Sequence, residues 1–200
     1  VDRVPTEVIE IKQFAIPDRW PRGFGMDVGW NRTAAIWGAL DRQSDILYLY
    51  DEHYVAEENP STHANAIMGF GAKNSNLRNK WIPGVIDPAS NGRSQHDGER
   101  LFKAYTDLGL DLEMAKNDVD AGVHEVWLRL SSGRLKVFSH LQYFFKEYLL
   151  YRRDKQGKIV KSKVRPDHLM DCFDAETQVL TLRGWKHFAA LDGSEPLATV

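Results

Sequence analysis

An apolar segment that begins at Gly23 carries a single carboxylate, Asp27, near its end and breaks at Gly29. A second apolar segment follows over residues 33–40, so the two predict a β-hairpin with one acid on its first strand. A carboxylate in the middle of a sheet is costly to bury unless it is paired or binds a cation. Asp27 is therefore a candidate metal ligand, although an Asp that caps the turn formed by Gly29 and Asn31 would show the same pattern.

The composition limits the classes of protein to which the chain can belong. Its 200 residues suit one domain, or one domain with a fragment, and 42% of them are apolar, enough for a sizeable core. The formal net charge of −2 argues against a protein that coats polyanions, so any contact with nucleic acid is expected to be local. The single cysteine excludes a disulfide framework and fits a reducing cytoplasm. No segment reaches the length of a membrane-spanning helix, and no signal peptide is evident.

Helices and strands alternate after the hairpin. A third strand is predicted over 46–54 and a fourth over 81–86, which ends at Asp87 because Pro88 has no N–H to donate. Helices are predicted over 59–73, 97–108, 117–130 and 140–150, with short strands over 110–114 and 135–138. This order indicates an α/β fold with a mixed sheet flanked by helices. It is the order of an RNase H-like fold, in which the first and fourth strands are neighbours and bring Asp27 and Asp87 together.

Three regions are predicted along the chain. Residues 1–22 form a connecting arm, residues 23–171 form the RNase H-like domain, and residues 172–200 form a short β-rich extension. The sequence starts at Val1 rather than Met and stops at Val200 within a predicted strand. We therefore expect a piece of a longer protein.

A basic hairpin is predicted over 148–165, with Asp154-Lys155-Gln156-Gly157 at its tip. The segment contains a single acid, Asp154. Its cations are Arg152, Arg153, Lys155, Lys158, Lys161, Lys163 and Arg165. On a slightly acidic protein, this concentration of positive charge favours a local contact with DNA phosphates. A solvated sheet edge, kept from pairing with other chains by its charges, is the alternative.

The segment that follows the hairpin reads Pro166-Asp167-His168-Leu169-Met170-Asp171. Pro166 suits the first turn of a helix, which would place Asp167, His168 and Asp171 on one helix face. These three side chains are candidate metal ligands. An N-terminal helix charge and a surface acid would also account for the two aspartates.

Asp27, Asp87 and Asp171 would bring three acids to one site from a first strand, a fourth strand and a late helix. Hard, oxygen-preferring cations occupy such sites, and Mg²⁺ or Mn²⁺ leaves room for a substrate phosphate. Two such ions about 4 Å apart activate a water and stabilise the leaving oxygen of a phosphodiester. No side chain need then be the nucleophile, and Asp27 is the expected bridge between the ions.

These residues together resemble the C-terminal nuclease domain of the large terminase subunit of tailed bacteriophages. The resemblance extends over about residues 20–171 and depends on the segments Gly25-Met26-Asp27-Val28-Gly29-Trp30-Asn31, Tyr48-Leu49-Tyr50-Asp51-Glu52, Ile86-Asp87-Pro88, Gly133-Arg134-Leu135-Lys136-Val137-Phe138, the basic hairpin and Asp167-His168-Leu169-Met170-Asp171. It implies metal-binding acids at Asp27, Asp87 and Asp171 and a further metal ligand at His168. Asp167 is a less direct match to a ligand of that family.

The resemblance implies a divalent-metal-dependent endonuclease that cuts concatemeric double-stranded viral DNA during genome packaging. It implies the packaging ATPase domain, the small terminase subunit and the portal as partners, no membrane, and a location in the cytoplasm of the bacterial host. The first departure from the family concerns the packaging ATPase. No Gly-rich phosphate-binding loop with Lys and Ser or Thr, as an ATPase needs, occurs in this sequence. This chain is therefore not expected to translocate DNA by itself.

A second departure from the family begins at Cys172. Residues 172–200 resemble the N-terminal splicing block of an intein, with a Cys, a short acidic turn, a strand, a Gly turn and a further strand. This resemblance implies that Cys172 is the nucleophile of an N-to-S acyl shift at the Asp171–Cys172 bond. The downstream splicing blocks do not occur in these residues, so completed splicing is not expected. A C-terminal β-hairpin with a buried cysteine is the alternative.

Other functions fit the same residues. Another RNase H-like nuclease, such as a Holliday-junction resolvase or a transposase, is one alternative, although the segment over 167–171 favours a terminase. A non-catalytic module that docks DNA or contacts the packaging motor is another, and in that case the acids are structural. Self-processing by the intein-like segment is a third. Loss of cleavage in Asp27→Asn and Asp87→Asn, with folding retained, distinguishes catalysis from docking.

Overall fold

The computed structural model describes residues 4–29, 32–73, 82–86, 95–115, 119–150, 168–172, 178–181 and 184–187. The helices in these ranges are α1 (Thr6–Ile9), α2 (Pro60–Lys73), α3 (Gln95–Asp107), α4 (Val119–Ser131), α5 (Gln142–Leu150) and α6 (His168–Asp171). The strands are β1 (Glu10–Ile11), β2 (Arg22–Val28), β3 (Arg32–Asp41), β4 (Ile46–Ala56), β5 (Gly84–Ile86), β6 (Leu112–Met114), β7 (Leu135–Phe138), β8 (Gln178–Thr181) and β9 (Gly184–His187).

One mixed sheet contains seven of these strands in the order β1-β7-β4-β3-β2-β5-β6. β2, β3 and β4 are antiparallel neighbours, whereas β5 pairs with β2 in parallel, with Met26 opposite Ile86. The prediction that the first and fourth strands of the predicted domain are neighbours, here β2 and β5, is confirmed. β2 has strands on both sides, so Asp27 lies on an interior strand of the sheet.

The β2–β3 hairpin closes where the sequence breaks at Gly29. Gly29 and Arg32 exchange both backbone N–H···O bonds, with N···O distances of 2.8 and 3.3 Å. β2 is buried over its whole length and β3 everywhere except at its two end residues. Strands with both faces covered have long apolar runs rather than an alternation of apolar and polar residues. This burial explains the long apolar segments seen in the sequence.

The turn between β3 and β4 is built around Asp41. Its carboxylate accepts hydrogen bonds from the backbone N–H of Gln43 at 3.1 Å and from the hydroxyl of Ser44 at 2.6 Å. Asp45 then takes a positive φ of 53°, a conformation that Asp tolerates better than most residues. The predicted polar turn between the second and third strands is confirmed.

The N-terminal segment, expected as a connecting arm, contributes to the sheet. β1 pairs in parallel with β7 at the sheet edge, with Glu10 opposite Val137. Ile9 is fully buried, and the Tyr148 hydroxyl donates a hydrogen bond to the Val4 carbonyl at 2.7 Å. The short apolar stretch around Ile9 therefore covers an edge that β7 would otherwise expose.

Several elements are shorter than, or offset from, the predicted ones. β5 begins at Gly84 rather than residue 81, and β6 begins at Leu112 because Gly109, with a φ of 99°, closes the end of α3. The prediction of a hairpin starting at residue 148 was wrong for its first three residues, which form the last turn of α5. α4 ends at Ser131, and Gly133 follows with a φ of 72°, in agreement with the predicted stop at this glycine.

The C-terminal region contains a separate two-stranded antiparallel sheet, β8–β9, in which Thr181 pairs with Gly184. This agrees with the two predicted strands, although Gly184, expected in the turn, is the first residue of β9. The further strand predicted over 197–200 lies outside the described residues. None of the helices in the described ranges is both long and apolar enough to cross a membrane.

Candidate active site

The site is built where the end of α6 meets β2 at a glycine. A Cβ at residue 25 would lie 1.8 Å from the backbone oxygen of Cys172, so Gly25 allows an approach that no other residue permits. Leu169 of α6 and Cys172 after it are both buried, at 0% and 4% exposure. Residues 25 and 27 lie on one face of β2, since side chains alternate along a strand. α6 therefore docks on the same face that carries Asp27.

Asp27 and His168 form the central contact of the site. Nδ1 of His168 lies 2.6 Å from Oδ2 of Asp27, and the Asp27 side chain is 6% exposed while that of His168 is 29% exposed. At this distance the ring donates its Nδ1–H to the carboxylate, in the geometry of a charge-assisted hydrogen bond. The structure thus brings together two of the predicted site residues from segments far apart in the sequence.

The neighbouring strands extend this face of the sheet. Asp27 pairs with Ala34, which pairs with Tyr54 on β4, so these three residues form one row across the sheet. The Sγ atom of Cys172 lies 3.4 Å from the Ala34 carbonyl oxygen. The small side chain of Ala34 leaves room for α6 to cover the row, and Cys172 is part of the domain core.

Glu147 on α5 was not singled out by the sequence, and it contacts both the sheet and α6. Its side chain accepts a hydrogen bond from the Tyr54 hydroxyl at 2.5 Å and from the backbone N–H of Leu169 at 2.7 Å. Burial raises the pKa of Glu147 above its ordinary value, and the hydrogen bonds from Tyr54, Leu169 and Met170 act in the opposite direction. The signal that would have found it is an acid on the buried face of α5, at helical spacing from Phe144.

Glu52 anchors the start of α5 on the same face of the sheet. Its carboxylate accepts hydrogen bonds from the backbone N–H groups of Tyr143 at 2.9 Å and Phe144 at 2.8 Å. The N-terminus of a helix favours such a negative charge. Burial raises the pKa of Glu52, and the two hydrogen bonds from α5 lower it in part. Glu52 belongs to one of the segments that resemble the terminase family, but no role was predicted for it.

An aromatic and cationic group borders the site. The Arg32 guanidinium lies 4.5 Å from the ring centroid of Tyr54, and the Tyr54 and Tyr143 rings stack at 4.7 Å. Burial raises the pKa of Tyr54, the adjacent Glu147 raises it further, and Arg32 acts in the opposite direction. Tyr54 therefore remains a neutral hydrogen-bond donor at physiological pH.

The remaining predicted site residues are described only in part. Asp171 ends α6, and its backbone alone is described. Asp87 follows Ile86, the last residue of β5, and lies outside the described residues. Outside them too lie Asp167 and all the predicted DNA-binding cations, Arg152, Arg153, Lys155, Lys158, Lys161, Lys163 and Arg165.

The described donors fit a divalent cation. Within the described part of the chain no three His, Cys, Asp or Glu side chains converge as a metal site, and Asp27 with His168 are the described members of the predicted set. A buried carboxylate oxygen is the ligand that Mg²⁺ and Mn²⁺ prefer. Asp27 offers this oxygen at the end of a rigid interior strand.

The mixed seven-stranded sheet with helices on its faces, and the buried acid near the end of an interior strand, define an RNase H-like α/β domain. No protein-family profile matches the chain. The chain is similar to the terminase large subunits of Enterobacteria phage LP7 and Salmonella phage P22, with 31% identity to each over 173 residues. These alignments cover 80% of this chain but 34% of the LP7 protein and 32% of the P22 protein. The chain thus spans about a third of the length of the curated relatives it matches.

Solved structures of terminase nuclease domains are also similar to this chain. The P22 large terminase nuclease domain has a TM-score of 0.69 at 28% identity, with 86% of this chain and 93% of that domain covered. The nuclease domain of the SPP1 large terminase with bound Mn has a TM-score of 0.56 at 18% identity, covering 84% of this chain and 94% of that one. The nuclease of phage G20c with bound magnesium has a TM-score of 0.54 at 11% identity, covering 78% and 83%. The last two identities show a shared fold alone, whereas the P22 comparisons support homology with the terminase large-subunit nuclease domain.

Proposed function

We propose that this chain is the nuclease domain of a terminase large subunit and that it cuts concatemeric double-stranded viral DNA during genome packaging. The observation that carries the proposal is Asp27, buried on an interior strand and held by His168 of α6 at 2.6 Å. Similarity in sequence and in fold to the P22 protein supports it. Cutting of this kind takes place in the bacterial cell in which viral DNA is packaged.

The proposed site contains Asp27, Asp87 and Asp171 as metal ligands, with His168 as a further ligand and Asp167 as an additional candidate. β5 supports this set because its last residue pairs with Met26, the neighbour of Asp27, and Asp87 comes next in the sequence. Related nuclease domains contain manganese or magnesium. When bound, two Mg²⁺ or Mn²⁺ ions would activate a water and stabilise the leaving oxygen of the phosphodiester.

The chain's own residues orient the substrate and the ligands. His168 holds the Asp27 carboxylate in one orientation through Nδ1, which limits the rotation of a side chain that would bind metal. The basic segment over 152–165 would contact DNA phosphates, and such contacts position the duplex without reading its sequence. The ATPase domain, small subunit and portal are proposed partners in the whole protein.

Cleavage of supercoiled plasmid in Mn²⁺, Mg²⁺ or EDTA tests this function. Cutting should require the metal and should fall by at least two orders of magnitude in Asp27→Asn, because the substitution removes a ligand charge. Asp107→Asn is the matched control, since Asp107 is an exposed acid on α3 that pairs with Lys103 at 2.6 Å. Equal cleavage by Asp27→Asn and the wild type, with folding retained, would assign the acids a structural role and favour a docking module.

The intein-like interpretation of residues 172–200 is a second proposal, favoured by the β8–β9 hairpin after Cys172. Cys172 is 4% exposed and contacts Ala34, and a thiol in such apolar surroundings is a poor nucleophile. We therefore expect thiol reagents to release no product cleaved after Asp171. Cleavage that depends on thiol and is abolished in Cys172→Ala would instead establish an acyl shift at this bond.

A further inference from the structure

Glu147 is a charged side chain placed in the domain interior. It is 1% exposed and lies on the face of α5 that also buries Phe144 and Tyr148. A carboxylate in such a place is costly unless its oxygens accept hydrogen bonds. Its partners therefore indicate why an acid occupies a position where an apolar residue would pack.

The two oxygens of Glu147 contact different elements. Oε1 accepts from the Tyr54 hydroxyl of β4 at 2.5 Å, and Oε2 accepts from the backbone N–H of Leu169 in α6 at 2.7 Å. Leu169 is the residue next to His168, whose Nδ1 contacts Asp27. Glu147 thus connects the sheet to the first turn of the helix that supplies His168.

The described part of α6 spans four residues, from His168 to Asp171. A helix this short is not stable by itself, so its position depends on contacts with the rest of the domain. The burial of Leu169 and the Gly25–Cys172 approach hold its far end and inner face, and Glu147 accepts from the first turn. A negative charge at this end of a helix is favourable.

We propose that Glu147 is a positioning residue, which holds α6 so that His168 reaches Asp27. The expected effect of Glu147 on metal and DNA binding rests on the proposed nuclease function. Its expected effect on the position of α6 does not. Glu147 is not expected to bind metal or substrate. It acts through the backbone of α6.

The first test compares metal binding by Glu147→Ala, Glu147→Gln and the matched control Glu125→Ala. Glu125 is a carboxylate on α4 that pairs with Arg129 of the same helix at 3.3 Å. Residues that orient metal ligands typically change metal affinity by 10- to 100-fold when mutated. We expect Glu147→Ala to weaken Mn²⁺ binding by about tenfold or more in titration calorimetry, and Glu125→Ala to change it less than threefold. Glu147→Gln keeps the shape and one acceptor, so it should recover most of the affinity.

The second test needs no metal. The N–H of Cys172, the residue after α6, donates to the His168 carbonyl at 3.0 Å, so its hydrogen exchange reports on this helix. In Glu147→Ala its exchange should be at least tenfold faster, while the amides of β2 exchange at the wild-type rate. Unchanged exchange of the Cys172 amide would overturn the positioning role, as would equal losses of Mn²⁺ affinity in Glu147→Ala and Glu125→Ala. A wild-type protein that neither binds Mn²⁺ nor cuts DNA would overturn the proposed function instead, and the exchange result would still decide the role of Glu147.

Discussion

The backbone oxygen of Cys172 approaches Gly25 so closely that a Cβ at residue 25 would lie 1.8 Å from it. This approach determines how near α6 comes to β2, and therefore whether His168 can contact Asp27 two residues further along the strand. The glycine in the Gly25-Met26-Asp27 segment thus serves the packing of a helix about 145 residues later in the chain.

Gly25→Ala should destabilise the domain and disable the site. Neither β2 nor the Cys172 carbonyl can move easily, because both are backbone, and overpacking of this kind costs about 1–3 kcal/mol. We expect a loss in that range in urea unfolding and at least a tenfold loss of metal-dependent cleavage. Gly69→Ala on α2 is the control, since a Cβ there meets nothing within 4 Å and Ala favours a helix by up to about 1 kcal/mol. Wild-type stability in Gly25→Ala would contradict the close approach of α6.

The buried pair His53 and His63 should make the domain less stable in mild acid. Their rings contact through Nε2 of His53 and Nδ1 of His63 at 3.0 Å, and burial, followed by the charge of His63, lowers the pKa of His53 to about 4. Burial lowers the pKa of His63 as well, against an opposing effect of Glu58. The unfolded chain therefore takes up protons that the folded one does not, and stability falls as pH drops from about 6.5 toward 4. Each group contributes up to about 1.4 kcal/mol per pH unit.

Urea unfolding at several pH values between 7 and 4 measures this effect. His53→Gln should flatten the fall in stability relative to the wild type. His140→Gln, which changes an exposed histidine after β7, should leave it as steep. If the free energy of unfolding fell equally steeply with pH in all three proteins, the His53–His63 pair would not contribute to the acid sensitivity.

The basic segment should determine the salt dependence of DNA binding. Changing Lys158, Lys161 and Lys163 together to Ala removes up to three phosphate contacts, and each lost contact reduces the slope of log affinity against log salt by about 0.9. Fluorescence anisotropy with a short duplex over a range of salt concentrations measures the slope, and Mn²⁺ binding should not change. The matched triple control changes Lys12, Lys103 and Lys146, which are exposed lysines in other parts of the domain. An unchanged slope would indicate a solvated sheet edge.

Cys172 should react slowly with thiol reagents in the native protein. It is the single cysteine of the chain, it is 4% exposed, and its Sγ lies 3.4 Å from the Ala34 carbonyl oxygen. A chromogenic thiol reagent should therefore react at least a hundredfold faster in 6 M guanidinium than in buffer. In buffer the domain must first open to expose the thiol. Rapid reaction of one thiol equivalent in buffer would show that Cys172 is accessible, as a self-processing nucleophile must be.

Much of the sheet could be predicted because its determinants are local. The apolar segments on either side of Gly29 predict β2 and β3, and turn residues such as Asp41 mark where strands end. The acid at Asp27 stood out for the same reason, since one carboxylate in an apolar strand is visible in the sequence. The order of strands and helices then indicated the RNase H-like fold without any knowledge of contacts.

The contacts that build the site were decided by the tertiary structure. Asp27 and His168 are 141 residues apart, and Tyr54 and Glu147 are 93 apart, so no local pattern records that they meet. The pairing of β1 with β7 likewise joins residues far apart, which is why the N-terminal segment resembled a simple arm. The sequence by itself determined which strands form and where an unusual acid lies, because backbone preference and hydrophobic pattern are local. The docking of α6, the role of Gly25 and the buried position of Glu147 depend on steric fit and hydrogen bonds between distant segments, and these exist only in the folded chain.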